Sequence, residues 1–288
     1  MSTTQANAVP GFWQMQVSER EASLKALEDA IRVQGGNPQE LMDLFRTDPQ
    51  YANLIAQAML RRGHVDSVDM RLARLILGNN LFGLEEWETL YGVKFTKKQR
   101  REAGKFPWSE SVLTGSCPFN PGKQIKDTHF AFLGITGING QPLTVAQWNV
   151  IHPPTGQPKF YFNSNPWHAG QPYADTATLE LKWYLLLKEI VPNSTGKTPG
   201  DQVAMLPAEY ETPTTIAEVT KDILAFRKLS VRLNHSRWAA CTERTIKTAQ
   251  IDAGRVSCVG VFGGYGLLVS YWDGRVSDSV GVGASQKS

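Results

Sequence analysis

Between residues 115 and 134 the period of the apolar residues changes, and that change constrains the fold more than any other feature of the chain. Pro118, Pro121 and Gly122 exclude a helix around Cys117. From residue 128 to 133 the run Thr-His-Phe-Ala-Phe-Leu then has the composition of a strand. Upstream, apolar residues recur at helical spacing between caps. Downstream, they sit in short runs separated by turn residues.

The upstream part reads as consecutive helices. Over residues 18–34, Ala22, Leu24, Leu27, Ala30 and Ile31 fall near helical spacing, Ser18 and Glu21 form a capping box, and Gly35-Gly36 ends the helix. Asn37-Pro38 and Asp48-Pro49 are two more helix starts. Leu41, Leu44 and Phe45 give the first of these an apolar face, and the second is expected to run to about residue 62. Further helices are expected over 67–77 and 84–91, after the cap Thr96, and over 110–113. Residues 1–108 therefore read as a helical region, a small bundle.

The downstream part, residues 109–288, reads as an α+β domain. Asn139-Gly140 is a two-residue hairpin turn, and a helix containing Trp148 is expected after Thr144. Residues 153–178 form a long loop rich in Pro, Gly, Asn and aromatics. Residues 179–191 fit either a helix or a buried strand, with the strand preferred over 183–190, and 214–229 reads as an amphipathic helix through Ile216, Val219, Ile223, Leu224 and Phe226. Strands are expected over 238–242, 256–262, 267–272 and 280–283, with Asp273-Gly274 as a hairpin between the last two. The expected fold is α+β: an N-terminal helical bundle followed by a largely antiparallel sheet with packed helices.

Composition narrows the class. The chain is 41% hydrophobic and 20% charged, and no apolar run reaches the roughly 20 residues that a membrane helix needs. The polar start lacks the basic and apolar regions of a signal peptide, and three cysteines at unrelated spacings fit reduced thiols, so a cytoplasmic, soluble protein is expected. The net charge is only +3, yet residues 94–105 carry six cations against Glu102 alone, a local +5 that leaves −2 for the rest.

A further set of stretches carries a resemblance: residues 77–83 (Leu-Gly-Asn-Asn-Leu-Phe-Gly), 107–113 (Pro-Trp-Ser-Glu-Ser-Val-Leu), Cys117 and Asp127-Thr128-His129. With 139–144, Trp183-Tyr184-Leu185 and 264–269, this pattern over roughly residues 70–288 resembles a family of uncharacterised bacterial proteins, many from uncultured lineages. The resemblance implies a shared fold and carries no assigned chemistry.

No catalytic pattern is complete. Gly196-Lys197-Thr198 ends like a phosphate loop, but Val191 stands where that loop needs glycine, and an exposed turn is expected. Gly260, Gly263, Gly264 and Gly266 lie between strands and read as structural. The five histidines are scattered and the cysteines unpaired in spacing, so neither a metal nor a cofactor is expected. If the protein is an enzyme, the candidate catalytic residues are Cys117, His129 and Asp127, a thiol with an imidazole and an acid, for a hydrolase or transferase. Lys97, Lys98, Arg100, Arg101 and Trp108 combine cations with an aromatic in the manner of a nucleic-acid footprint. Phe160, Phe162, Trp167 and Tyr173, aromatics of the long loop, are candidates for an interaction surface. The leading expectation is a non-catalytic binding or assembly protein acting through protein–protein contacts, with a protein partner or a second copy. Nucleic-acid binding through residues 94–105 is the alternative.

Overall fold

The helix starts written in the sequence are used by the chain. A computed structural model describes residues 17–33, 35–49, 68–153, 155–160, 166 and 168–288. The chain divides into two units, Met1–Val65 and Asp66–Ser288. In the first, helix α1 (Val17–Val33) stops before Gly35, and Asn37 caps α2 (Pro38–Thr47) by accepting the Gln39 N–H at 3.0 Å, with Pro38 at the first helical position. The helix expected to start at Asp48-Pro49 lies outside the described residues.

The second unit begins with α3 (Val68–Leu77), strand β1 (Leu81–Phe82), α4 (Leu84–Tyr91), α5 (Lys97–Ala103), α6 (Glu110–Leu113) and α7 (Ile125–Thr128). Thr96 starts α5 with the reciprocal bonds of a capping box, its hydroxyl accepting the Gln99 N–H at 3.2 Å and the Gln99 side chain accepting the Thr96 N–H at 2.9 Å. These helices share one core with the elements beyond residue 108, Trp87, Phe106 and Trp108 packing with Phe130, Trp148 and Trp183. Trp183 donates its indole N–H to the Ala103 carbonyl and Trp87 donates to that of Leu133, both at 2.8 Å. The expected division at 108/109 thus falls inside the second unit.

After α7 come β2 (His129–Leu133), the hairpin β3 (Gly137–Ile138) and β4 (Gln141–Pro142), α8 (Val145–Ile151), α9 (Pro172–Asp175), β5 (Trp183–Leu187), α10 (Pro199–Ala204), β6 (Tyr210–Glu211) and α11 (Thr215–Leu229). The hairpin turn is Asn139-Gly140 with both residues at positive φ, 52° and 78°, as a two-residue turn of the right twist demands. The chain ends with β7 (Trp238–Arg244), β8 (Val256–Gly263), β9 (Gly266–Trp272), β10 (Val280–Val282) and β11 (Ser285–Gln286).

The fold is α+β, with its main strands in two sheets. One has the order β1-β2-β5-β11-β6 and the other β10-β7-β8-β9. Pairing is antiparallel except at β1/β2 and β10/β7. The expected hairpin from 267–272 to 280–283 does not form. Asp273-Gly274 does turn the chain, with Asp273 accepting the Arg275 N–H, but the segment that follows crosses to the far edge and lays β10 parallel to β7. From there residues 282–285 pass into the first sheet, where β11 pairs with β5 and β6. Gly283 makes this crossing possible, because a Cβ there would lie 2.8 Å from the Pro213 ring.

Helix α11 is not the amphipathic surface helix its apolar spacing announces. It packs against β2 and β5 of one sheet and β7, β8 and β9 of the other, and every residue from Thr215 to Ala225 is buried. Ile216, Val219, Ile223 and Leu224 each contribute about 1.5–3 kcal/mol by burial. The same burial encloses Glu218, Lys221 and Asp222. The Lys221 ammonium donates to Glu218 Oε1 and to the carbonyls of Leu187 (3.2 Å) and Lys188 (3.1 Å), and lies 3.3 Å from Asp222 Oδ1. Asn234 adds a 2.9 Å bond from Nδ2 to the same Glu218 oxygen, while its backbone N–H reaches Glu189 at 3.0 Å. Burial pulls the Lys221 pKa down, but Asp222 and Glu218 outweigh it and the net shift is upward. Burial pushes Asp222 up to about 7, because Lys221 only partly offsets it and Glu218 opposes its charge.

Two outcomes follow for stability. Lys221→Met leaves Glu218 and Asp222 without their cation and is expected to cost about 3–5 kcal/mol in urea unfolding. Between 3.8 and about 7 the folded Asp222 holds a proton that the unfolded chain releases, so its contribution is largest at acid pH and is lost as pH rises through that window, by up to ~1.4 kcal/mol per unit. Asp222→Asn should therefore gain on the wild type as pH is raised from 4 to 7, and a constant difference across that range would contradict the assignment.

Candidate functional site

Cys117 and His129 lie in neighbouring parts of the interior, yet their bonding excludes the pair expected of a thiol enzyme. Cys117 is buried with Phe119, Leu187, Val191 and Tyr210, and its sulfur receives a 3.7 Å bond from Asn120 Nδ2. His129 is fully buried on β2. Its Nδ1 lies 2.9 Å from the Thr128 hydroxyl and its Nε2 lies 3.1 Å from the Tyr210 hydroxyl. Because the Thr128 hydroxyl hydrogen goes to the Gln124 carbonyl at 3.0 Å, its oxygen accepts from Nδ1–H, and the lone pair of Nε2 is left to Tyr210. Burial pushes the His129 pKa down to about 4. Asp127, the third candidate, is half-exposed with its carboxylate 3.6 Å from Lys126 Nζ. Among the described residues no hydrogen bond joins any two of the three.

The basic segment is split by its environment. Arg100 is paired with Glu88, while Lys105 at 2.8 Å and Arg101 at 4.0 Å reach Glu102. Lys94, Lys97 and Lys98 are exposed. Trp108 is not available for base stacking: it is buried, its ring packs edge-on against Phe106 at 5.4 Å, and its indole N–H donates to the Lys287 carbonyl. The physical reason is the proline between the two aromatics, which turns both rings into the core beside Trp183.

Of the loop aromatics, Phe160 and Tyr173 are also corrections. Phe160 bridges to Leu267 at the edge of β9 and is 1% exposed, and Tyr173 on α9 is 4% exposed. Large rings in a polar loop found the core, which lay within reach of both. Phe162 and Trp167 lie outside the described residues. Thr198 of the phosphate-loop lookalike caps α10 by accepting the Asp201 N–H at 3.3 Å, so the expected exposed turn opens a short helix.

The apolar residues that the sequence assigns to a bundle interior are the ones left in the open. In the unit Met1–Val65, none of the described side chains of α1 and α2 is buried. Leu27, Ile31 and Leu41 are half-covered near the turn at Gly35 and Gly36, where Ile31 and Leu41 approach the same point. Leu24 is 42% exposed, Met42 39% and Leu44 43%. Acidic residues exceed basic ones over residues 17–49, and Arg46 is held by Asp43 at 2.6 Å. A pair of amphipathic helices with no buried side chain among those described is a surface that another chain can cover. Its signal is present in the sequence as apolar spacing, but spacing reports that a face is apolar and says nothing of what covers it.

Comparison with family models, curated proteins and solved structures finds no match to this chain.

Since the Cys117 thiol is buried, a maleimide probe is expected to label it at least tenfold more slowly than a free thiol at pH 7. Labelling should rise to the free rate in urea. Fast labelling of the native protein, lost in Cys117→Ser, would restore the thiol-enzyme reading.

Proposed function

We propose that this protein is a non-catalytic assembly protein that associates with a second copy of itself through α1 and α2. The observation that carries this reading is a helix pair in which none of the described side chains is buried. Helices of 17 and 10 residues are marginal in water on their own, because helix stability in proteins comes mostly from packing of the apolar face. Covering Leu24, Met42 and Leu44 stabilises the pair by about 1.5–3 kcal/mol per side chain. Two such pairs brought face to face make a four-helix bundle, the simplest closed arrangement for two copies. Burial of Cys117 and His129 supports the same reading by withdrawing the chemistry an enzyme would use.

Light scattering coupled to size exclusion tests it. The full chain is expected to elute as a dimer or larger, and the double variant Leu24→Lys with Leu44→Lys as a monomer with an unchanged thermal transition of the Asp66–Ser288 unit. A wild-type chain that stays monomeric at about 100 μM would refute self-association at any affinity tighter than that concentration.

A second reading rests on Lys97 and Lys98, which are exposed and have no carboxylate at ion-pair distance among the described residues. In that reading the segment contacts a phosphate backbone by charge alone, without stacking. Affinity for a duplex oligonucleotide should then fall as salt rises, and Lys97→Gln with Lys98→Gln should reduce the log–log slope by about two. Anisotropy that shows no binding at low salt removes nucleic acid from consideration.

A further inference from the structure

Tyr91, His152 and Arg227 are far apart in sequence and sit at the C-terminal ends of α4, α8 and α11. They meet around a cavity of about 320 Å³ whose other walls include Leu90, Ile151 and Pro158. That volume is at the lower end of the range for small-molecule sites. We infer that this cavity binds a small monocarboxylate with an apolar body, its carboxylate on the Arg227 guanidinium and its body against Leu90, Ile151 and Pro158.

The charge of the site argues for an anion. Three neighbouring cations have carboxylates: Arg74 has Glu85 and Glu86, Lys228 has Glu86, and Arg100 has Glu88, while Arg232 lies against the rings of Phe226 and Phe262. Arg227 has none among the described residues. Its guanidinium lies 5.5 Å from the centroid of the Tyr91 ring, and among the described residues its buried Nε has no hydrogen-bond partner and no Asp or Glu lines the cavity. The C-terminal ends of three helices oppose an anion here, each carrying up to about half a negative charge that falls off within the last turn, so binding depends on direct contact of the carboxylate with the Arg227 guanidinium. An arginine left unpaired in a walled cavity is the residue best suited to fork onto a carboxylate.

The remaining polar groups decide how many charges the ligand carries. Tyr91 hydroxyl and His152 Nε2 are 3.0 Å apart, and Trp148 holds both rings, stacked on His152 and edge-on to Tyr91. Burial first, and then the Arg227 charge, pushes His152 down to about 4, so its imidazole is neutral at pH 7. Burial raises the Tyr91 phenol, which stays protonated. The lining thus presents one full positive charge, with Tyr91, His152, Thr155 and Gln157 as neutral polar groups. One charge matches a monocarboxylate better than a doubly charged phosphate. The second arginine of this region, Arg232, is outside the lining and donates to Gln157 of the wall at 3.3 Å.

Saturation-transfer NMR on the full chain with benzoate, benzamide and inorganic phosphate as probes tests the inference. Benzoate is expected to bind at least about tenfold more tightly than its neutral isostere benzamide, because the difference is the charged hydrogen bond to Arg227. Arg227→Gln should remove that difference, Arg227→Lys should restore part of it, and benzoate affinity should not change between pH 6 and 8. No benzoate binding at about 10 mM, equal binding of benzamide, or a preference that survives Arg227→Gln in a folded variant would each overturn the proposal. Displacement of benzoate by a lower concentration of phosphate would overturn the carboxylate assignment.

Discussion

The Lys221 ammonium is the interaction on which the second unit depends. A charge taken out of water costs several kcal/mol even after relaxation, and it is tolerated only where opposite charge and hydrogen bonds surround it. Here all three donors of one ammonium are used, two of them on the carbonyls of Leu187, the last residue of β5, and Lys188, which follows it, and one on Glu218 of its own helix. Glu218 is in turn held by Asn234 and lies beside the point where Gly283 carries the chain from one sheet to the other. Helix α11, both sheets and the crossing strand are therefore fixed around a few polar atoms. Apolar packing of Ile216, Val219 and Ile223 supplies most of the stabilisation, but it is non-directional. The buried charges determine which face of the helix meets which sheet.

A consequence is that the polar side chains of the interior are consumed by structure. His129 is divided between Thr128 and Tyr210, Gln202 donates to the carbonyls of Ser194 and Val280, and Glu243 accepts both the N–H and the hydroxyl of Thr215 at the start of α11. Trp87, Trp148 and Trp183 each spend their indole N–H on a partner distant in sequence. Groups committed in this way hold segments together. Among the described residues, the places left open to a partner or ligand include the exposed apolar side chains of α1 and α2, the exposed Lys97 and Lys98, and the cavity where Arg227 has no carboxylate.

Local structure was legible wherever the cause is local. Asn37-Pro38, the cap Thr96, the helix start at Thr144 and Asn139-Gly140 are each read correctly, because a cap or a two-residue turn is set by atoms within four residues. The strand over Trp183–Leu187 and the run of strands from Trp238 to Val282 are legible for the same reason. Asp273-Gly274 shows the limit: the turn forms, but whether the next strand returns beside β9 or crosses to β7 depends on which sheet edge is open, and no residue of the turn encodes that. Trp108, Phe160 and Tyr173 show it again, since an aromatic in a loop carries the same composition whether it faces solvent or core. Helix α11 shows it most clearly, since its apolar spacing does not tell that Glu218, Lys221 and Asp222 are enclosed by two sheets as well.

By itself, then, the sequence determined the elements, their caps and turns and the α+β class, because these follow from interactions between residues near one another along the chain. The tertiary structure alone decided that the strands form two sheets, that α11 lies between them, that Cys117 and His129 are committed to packing, and that Tyr91, His152 and Arg227 share a cavity. Each of these rests on contacts between residues tens to hundreds of positions apart, such as Trp108 with Lys287 and Lys228 with Glu86. Charge and polarity along the chain state what a side chain needs. Only the packed fold states whether a neighbour within the chain has already met that need or left it for a ligand.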